Sequence, residues 1–298
     1  MAIKDKAILT KIRVAFFCSL LTLTASCQKD FGQLDKVCAL ADELYEISGC
    51  TIIGSKLYAI NDSGNSNDLF EVSPATGKVI RKIEVTNATN KDWEALTTDR
   101  QGNMYIGDFG NNSNKRKDLV VYRVSKDQIT AGSKKITAQK IEFKLEGQEN
   151  FPPKKKNRTY DIEGFLHFRN SLYLFTKNRS KDFDGTTTVY RLPDVSGTYE
   201  AKEIAEWKTC KDDKDCFITD AALSPDGKTA VFLTYNKVFV MSPFDPKNMD
   251  DDKITKYKLD YRSQKEAVTF KDESTLWIAD EKGNASDGNL YEYKIPKE

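Results

Sequence analysis

Asp161-Ile162-Glu163-Gly164-Phe165-Leu166-His167-Phe168-Arg169-Asn170-Ser171-Leu172-Tyr173-Leu174-Phe175-Thr176-Lys177 reads as a short strand running from polar to apolar, a turn, and a second strand that ends on a polar residue. The same layout begins at Ile47-Ser48-Gly49, Trp93-Glu94-Ala95, Asp220-Ala221-Ala222 and Lys265-Glu266-Ala267, and the second strands there end at Asp62, Asp108, Tyr235 and Asp280. In all five repeats the two marked positions stand fourteen residues apart: 48 and 62, 94 and 108, 163 and 177, 221 and 235, 266 and 280. A register held five times is the mark of a repeat architecture.

Each pair is followed by a third strand carrying an aromatic residue: Phe70, Tyr122, Tyr190, Phe239 and Tyr291. The first four repeats add a fourth segment with strand-like alternation, such as Val79-Ile80-Arg81-Lys82-Ile83-Glu84-Val85, and Ser224-Pro225-Asp226-Gly227 and Arg100-Gln101-Gly102-Asn103 supply turn chemistry. No amphipathic helix is evident beyond the leader. Four-stranded units set around an axis predict an all-β propeller of five blades, with a sixth, degenerate blade within 118–159 as the alternative. The fifth repeat has too little chain after Tyr293 for a fourth strand, whereas Asp35-Lys36-Val37-Cys38-Ala39-Leu40-Ala41 has no repeat of its own. The N-terminal strand is therefore expected to complete the last blade and remove an exposed edge.

The chain begins with Lys4, Lys6, Lys11 and Arg13 and then an apolar run from Val14 to Leu23. That is an export signal, too short to span a bilayer comfortably. It closes on Thr24-Ala25-Ser26-Cys27, which resembles the lipobox of bacterial lipoproteins and marks Cys27 for lipidation. The predicted organisation is a signal and lipidation cysteine over 1–27, a linker over 28–34 and a propeller over 35–298. The expected location is the bacterial cell envelope, lipid-anchored, on the periplasmic or outer-membrane surface, with membrane contact through the anchor alone. In an oxidising compartment, Cys210 and Cys216, flanking a short polar loop, are the expected disulfide; the pairing of Cys38 with Cys50 stays open.

Lys and Arg number 46 against 45 Asp and Glu, a formal net charge of +1, so nothing points to nucleic acid, and the protein is expected to be a monomer. A single histidine, His167, excludes multi-histidine metal sites; within Phe165-Leu166-His167-Phe168 it reads as structural. Nucleophile-elbow, phosphate-loop and dinucleotide motifs are absent. Acids and amides instead gather where the first strands begin and the second strands end, an edge that an antiparallel pair shares. The candidate rim is Glu46 and Asp62 in the first repeat, then Asp92, Glu94, Asp108 and Asn111 in the second. The third gives Asp161, Glu163, Lys177 and Arg179, the fourth Ala221 and Tyr235, and the fifth Glu266 and Asp280. Clustered carboxylates suit Ca²⁺ or a basic ligand group. Equally, the Glu94/Glu163/Glu266 column can serve to space blades, and Asp62, Asp108 and Asp280 can serve as turn-forming residues.

The runs Asn61-Asp62-Ser63-Gly64-Asn65, Asp92-Trp93-Glu94-Ala95-Leu96 and Gly107-Asp108-Phe109-Gly110-Asn111-Asn112 resemble a group of secreted Bacteroidota β-propeller lipoproteins of unassigned function. More distantly, the chain is similar to the SdiA-regulated and esterase-like phytase families, whose Asp-x-Glu-Gly step entering an inner strand is matched by Asp161-Ile162-Glu163-Gly164. Asp92-Trp93-Glu94-Ala95 has Ala for Gly, and Ala221 breaks the step. The resemblance implies propeller and export more firmly than a reaction. Three functions follow as expectations: binding of a ligand, with a divalent cation, at the carboxylate-rich channel mouth; a calcium-dependent hydrolase of phosphoester or lactone type, with Lys177 stabilising negative charge; and a protein-interaction scaffold without a small-molecule site.

Overall fold

The computed structural model describes residues 29–212, 214–283 and 286–296. The signal segment and Cys27 lie outside them. The described chain is all-β apart from a few 3₁₀ turns and one short helix, Lys126–Thr130, which buries Ile129 and was not signalled by any apolar periodicity. Among the described residues no helix is long and apolar enough to cross a membrane.

The first four repeats fold as four antiparallel strands each. These are Ile47–Ile53, Lys56–Asn61, Asp68–Val72 and Val79–Val85; then Trp93–Thr98, Met104–Asp108, Leu119–Val124 and Gln139–Leu145. The third repeat is Asp161–His167, Ser171–Lys177, Thr186–Pro193 and Gly197–Lys208, and the fourth Asp220–Leu223, Ala230–Leu233, Lys237–Met241 and Ile254–Lys258. In the fifth, Lys265–Phe270, Thr275–Asp280 and Asn289–Lys294 are completed by the N-terminal strand Asp35–Ala39, paired from Asp35 opposite Glu292 to Ala39 opposite Asn289. The long stretch after Asp118 supplies the third and fourth strands of the second repeat, and Lys135–Ile136 adds to the outer edge of the first. Outer strands of the second and third repeats pair in parallel, joining them into one eight-stranded sheet.

The first strands adjoin in chain order, and the last, Lys265–Phe270, returns beside Ile47–Ile53. Small residues allow this. The position after each marked column is Gly49, Ala95, Gly164, Ala222 or Ala267. A Cβ on Gly49 would come 2.7 Å from Leu96 N, and one on Gly164 2.8 Å from Asp220 C, so these inner strands meet backbone to backbone. Outside this ring, five apolar clusters fill the spaces between successive repeats, and Phe70, Tyr122, Tyr190, Phe239 and Tyr291 each belong to a different one. The stretch read as a linker packs in part on this body: Leu34 is buried, and Gln33 N–H donates to Leu259 O. Cys210 and Cys216 are disulfide-bonded, while Cys38 and Cys50 are free thiols.

Candidate functional site

A β-bulge builds the site. In the first, second, third and fifth repeats the pairing skips one residue of the inner strand, and the skipped residues are Ser48, Glu94, Glu163 and Glu266. A bulged residue is freed from the pleat and can be re-aimed; here all three glutamates are buried. The fourth repeat, with Ala221 at that position, has no bulge.

Glu94, Asp92 and Asp62 each offer a carboxylate oxygen within 4.8 Å of the others. Glu94 is only 7% exposed, yet no hydrogen bond or ion pair reaches its carboxylate from the described residues. Gly110 makes room for it: a Cβ there would lie 2.2 Å from Glu94 Oε1 and 2.5 Å from Asp92 Oδ2. Asp62 accepts from its neighbour Ser63 N–H, and Glu46 Oε2 accepts from Asn65 Nδ2 at 2.6 Å beside it.

Cations hold the opposite side. Lys177 Nζ donates to Glu163 Oε2 at 3.0 Å. Arg179 bridges Asp161 Oδ2 at 2.6 Å and Glu163 Oε1 at 2.9 Å, and also donates to Asn112 Oδ1. Tyr235 OH donates to Glu266 Oε1 at 3.0 Å. Phe217 lies under both cations, 5.9 Å from Lys177 Nζ and 6.0 Å from the Arg179 guanidinium carbon, and Tyr235 is 5.6 Å from Lys177 Nζ. Asn111 shapes the loop rather than opening to the site: its N–H donates to Asp161 Oδ1 at 2.6 Å, and its side-chain oxygen accepts Arg116 N–H.

The electrostatics follow from crowding of like charge at low solvent access. Burial, then the charge of Asp62, pushes Asp92 up to about 7. Burial, then Glu163, Asp62 and Asp92, holds Glu94 well above the usual carboxylate range. Burial raises Glu266 to about 7 against the pull of Lys177, and burial with Glu163 raises Asp161 to about 8 against Arg179 and Lys177. Glu163 differs: burial pushes it up, but Lys177 and Arg179 outweigh that and hold it below the usual range.

Asp108 and Asp280 are not brought into this group. Asp108 Oδ1 accepts Asp92 N–H at 3.1 Å and pairs with Arg116 at 2.9 Å. Asp280 accepts from Asn289 N–H at 2.8 Å and Tyr291 OH at 2.9 Å, within its own sheet. The reason is register. Asp62 and Lys177 lie two residues across from the column residue, Lys177 opposite Asp161 and Asp62 bonded to Glu46 O, whereas Asp108 and Asp280 lie opposite Trp93 and Lys265. One residue of slip turns a side chain to the other face. In the fifth repeat the place equivalent to Lys177 therefore belongs to Glu281, bonded through its N–H to Gln264 O. Burial, followed by the charges of Glu266, Asp62 and Glu46, raises Glu281 to about 9. The loop Asp280-Glu281-Lys282-Gly283-Asn284 reads in sequence as opening on this rim, but constant spacing assigns the place to Asp280 and does not single out Glu281. His167, at the far end of its strand, bonds Asp194 through Nε2 at 2.9 Å and stacks on Tyr105.

No protein-family model matches the chain, and no curated protein matches its sequence. Solved structures it is similar to are of β-propeller type. One is the PQQ-bound aldose sugar dehydrogenase of Streptomyces coelicolor, 11% identical over 88% of this chain and 97% of that one, with a TM-score of 0.47. Another is a gluconolactonase of Xanthomonas campestris, 11% identical over 84% and 72%, with a TM-score of 0.46. A third is the nidogen/laminin complex, 13% identical over 78% and 72%, with a TM-score of 0.44.

Proposed function

We propose that this chain is a five-bladed propeller, exported and lipid-anchored through Cys27, whose acidic channel mouth binds a divalent cation of the calcium type and, through it, a ligand. The single observation that carries the cation is Glu94, a residue 7% exposed whose carboxylate bonds no described residue and lies with Asp62 and Asp92 beside Gly110, where a side chain would leave no room. The three carboxylate oxygens lie within 4.8 Å of one another, close enough for one cation with calcium–oxygen distances of about 2.3–2.6 Å to reach all of them. Three protein carboxylates leave coordination positions for water or a ligand oxygen, and Arg179, 29% exposed, faces negative charge arriving there. The Cys210–Cys216 disulfide supports the export reading, since such bonds persist in oxidising compartments.

Thermal unfolding of the purified protein tests this. A ligand selective for the native state at a hundredfold its dissociation constant stabilises by about 2.7 kcal/mol, which for a domain of this size is a rise of roughly 5–10 °C. Calcium should produce that rise, EDTA should reverse it, and Glu94→Gln should abolish it. A rise that survives Glu94→Gln places the cation elsewhere, and no rise in the parent protein leaves the scaffold reading. The hydrolase reading is favoured by Arg179 beside the acid triad; calcium-dependent turnover of a generic lactone or phosphodiester, lost in Arg179→Gln, would select it.

A further inference from the structure

The opposite end of the same ring holds a second feature. The C-terminal ends of all five inner strands, with the turns that follow them, enclose an open cavity of about 1220 Å³, larger than the roughly 300–1,000 Å³ typical of small-ligand pockets. Ile52, Leu96, Ala222 and Val268 are part of its apolar lining. Its charge is the reverse of the acidic mouth: six Lys and Arg residues line it against two acids, Asp99 and Asp226. Both acids are already engaged, Asp99 with Asn103 and Tyr105, Asp226 with Ser224 and Lys228.

Three of the cations have no acidic partner. Lys56, Lys228 and Lys271 pair with Glu71, Asp226 and Glu292, but Arg100, Lys126 and Arg169 form no ion pair among the described residues. Arg100 is the most telling. It reaches from the turn of the second repeat past the third to the turn of the fourth, where Nη2 donates to Asp226 O at 2.7 Å. Gly227 admits it, since a Cβ there would lie 2.3 Å from that nitrogen. Fixing a long side chain across an opening costs conformational entropy, and a neutral carbonyl leaves the guanidinium charge uncompensated. Arg169 caps the neighbouring turn at φ 48°, a left-handed conformation that Gly or Asn adopts more readily, and lies over Phe168, 4.7 Å from the ring centre. We infer that this funnel is a second binding site, separate from the acidic mouth, and that it takes a small organic or inorganic anion carrying two or more charges.

Titration calorimetry in low salt and EDTA, with tripolyphosphate as the probe, tests the inference. Saturable binding of one equivalent is expected, weakened about tenfold in Arg100→Gln, the effect of losing one charged hydrogen bond, and lost in high salt, which screens exposed charges. Because Arg100 also ties two turns together, Lys126→Gln serves as the second variant; it touches no such bond and should also weaken binding. Glu94→Gln should leave the affinity unchanged, which keeps this site distinct from the cation site at the other end. Absence of binding in low salt overturns the inference, as does binding indifferent to both cation variants. Equal affinity for a short DNA duplex or for phosphatidylglycerol vesicles would also overturn it, by making this end a general polyanion surface.

Discussion

Glu94 sits in the ring of inner strands beside Asp92 and Asp62, with its charge felt by Arg179 and its own carboxylate bonded to no described residue. Such a group favours its proton when no cation is present. The same holds for Asp92, Glu266, Asp161 and Glu281, raised by burial and then by neighbouring charge to values from about 7 to about 9. The sign follows from linkage. A carboxyl that holds its proton more tightly when folded contributes stability that is full below its unfolded pKa, near 4, and is lost as pH rises through the folded value. Melting in EDTA should therefore fall from about pH 4 to about pH 7, and Glu281→Gln should flatten that slope; a melting temperature that rises over this window would mean the acids are ionised and otherwise compensated. Above pH 7, Lys265 acts in the opposite sense, being buried and held down to about 7. Its ammonium is bonded to Tyr235 O, Tyr261 O and Ser263 Oγ. Calcium should remove the part of the acid-side slope that Asp92 and Glu94 contribute, by replacing their protons.

At the scale of the element, the bulged inner strand is what converts a repeat into a site. Glu94, Glu163 and Glu266 are legible in the sequence as a column, because each bulged residue stands fourteen residues before the end of the next strand. Asp108 and Asp280 are misplaced by the same reading, because fourteen residues of spacing conceal a one-residue difference in pairing. Single-sequence alternation reports that side chains alternate, and not which neighbour they face. The loop 210–216 is a second such element: its disulfide anchors the segment that presents Phe217 beneath Lys177 and Arg179. Closing a loop this short stabilises by about 2 kcal/mol. The double variant Cys210→Ser, Cys216→Ser is expected to melt a few degrees lower, and urea unfolding at unchanged m-value would show that the loss is in stability alone.

For the whole molecule, closure is the decisive property. The strand Asp35–Ala39 lies far in sequence from Asn289–Lys294 and supplies the outer edge of the fifth sheet. Deleting residues up to Ala39 should expose that edge, lower the melting temperature by several degrees and promote self-association, measured by light scattering. A truncated protein that stays monomeric with unchanged melting would show that the ring is held by its inner strands alone. The same ring sorts the charge of a nearly neutral chain along its axis, with carboxylates where the inner strands begin and six basic residues around the cavity where they end.

The repeats, their strands, the closing N-terminal segment, the disulfide and the acid column were all determined by the sequence itself, because each rests on local alternation, turn chemistry or a recurring interval. The facing of Asp280 and Glu281, the unbonded state of Glu94, the Arg179 bridge between two acids and the reach of Arg100 from one turn to another were decided only by the tertiary structure. Each depends on register or on distance between chain segments far apart in sequence, and neither quantity is written in the order of residues.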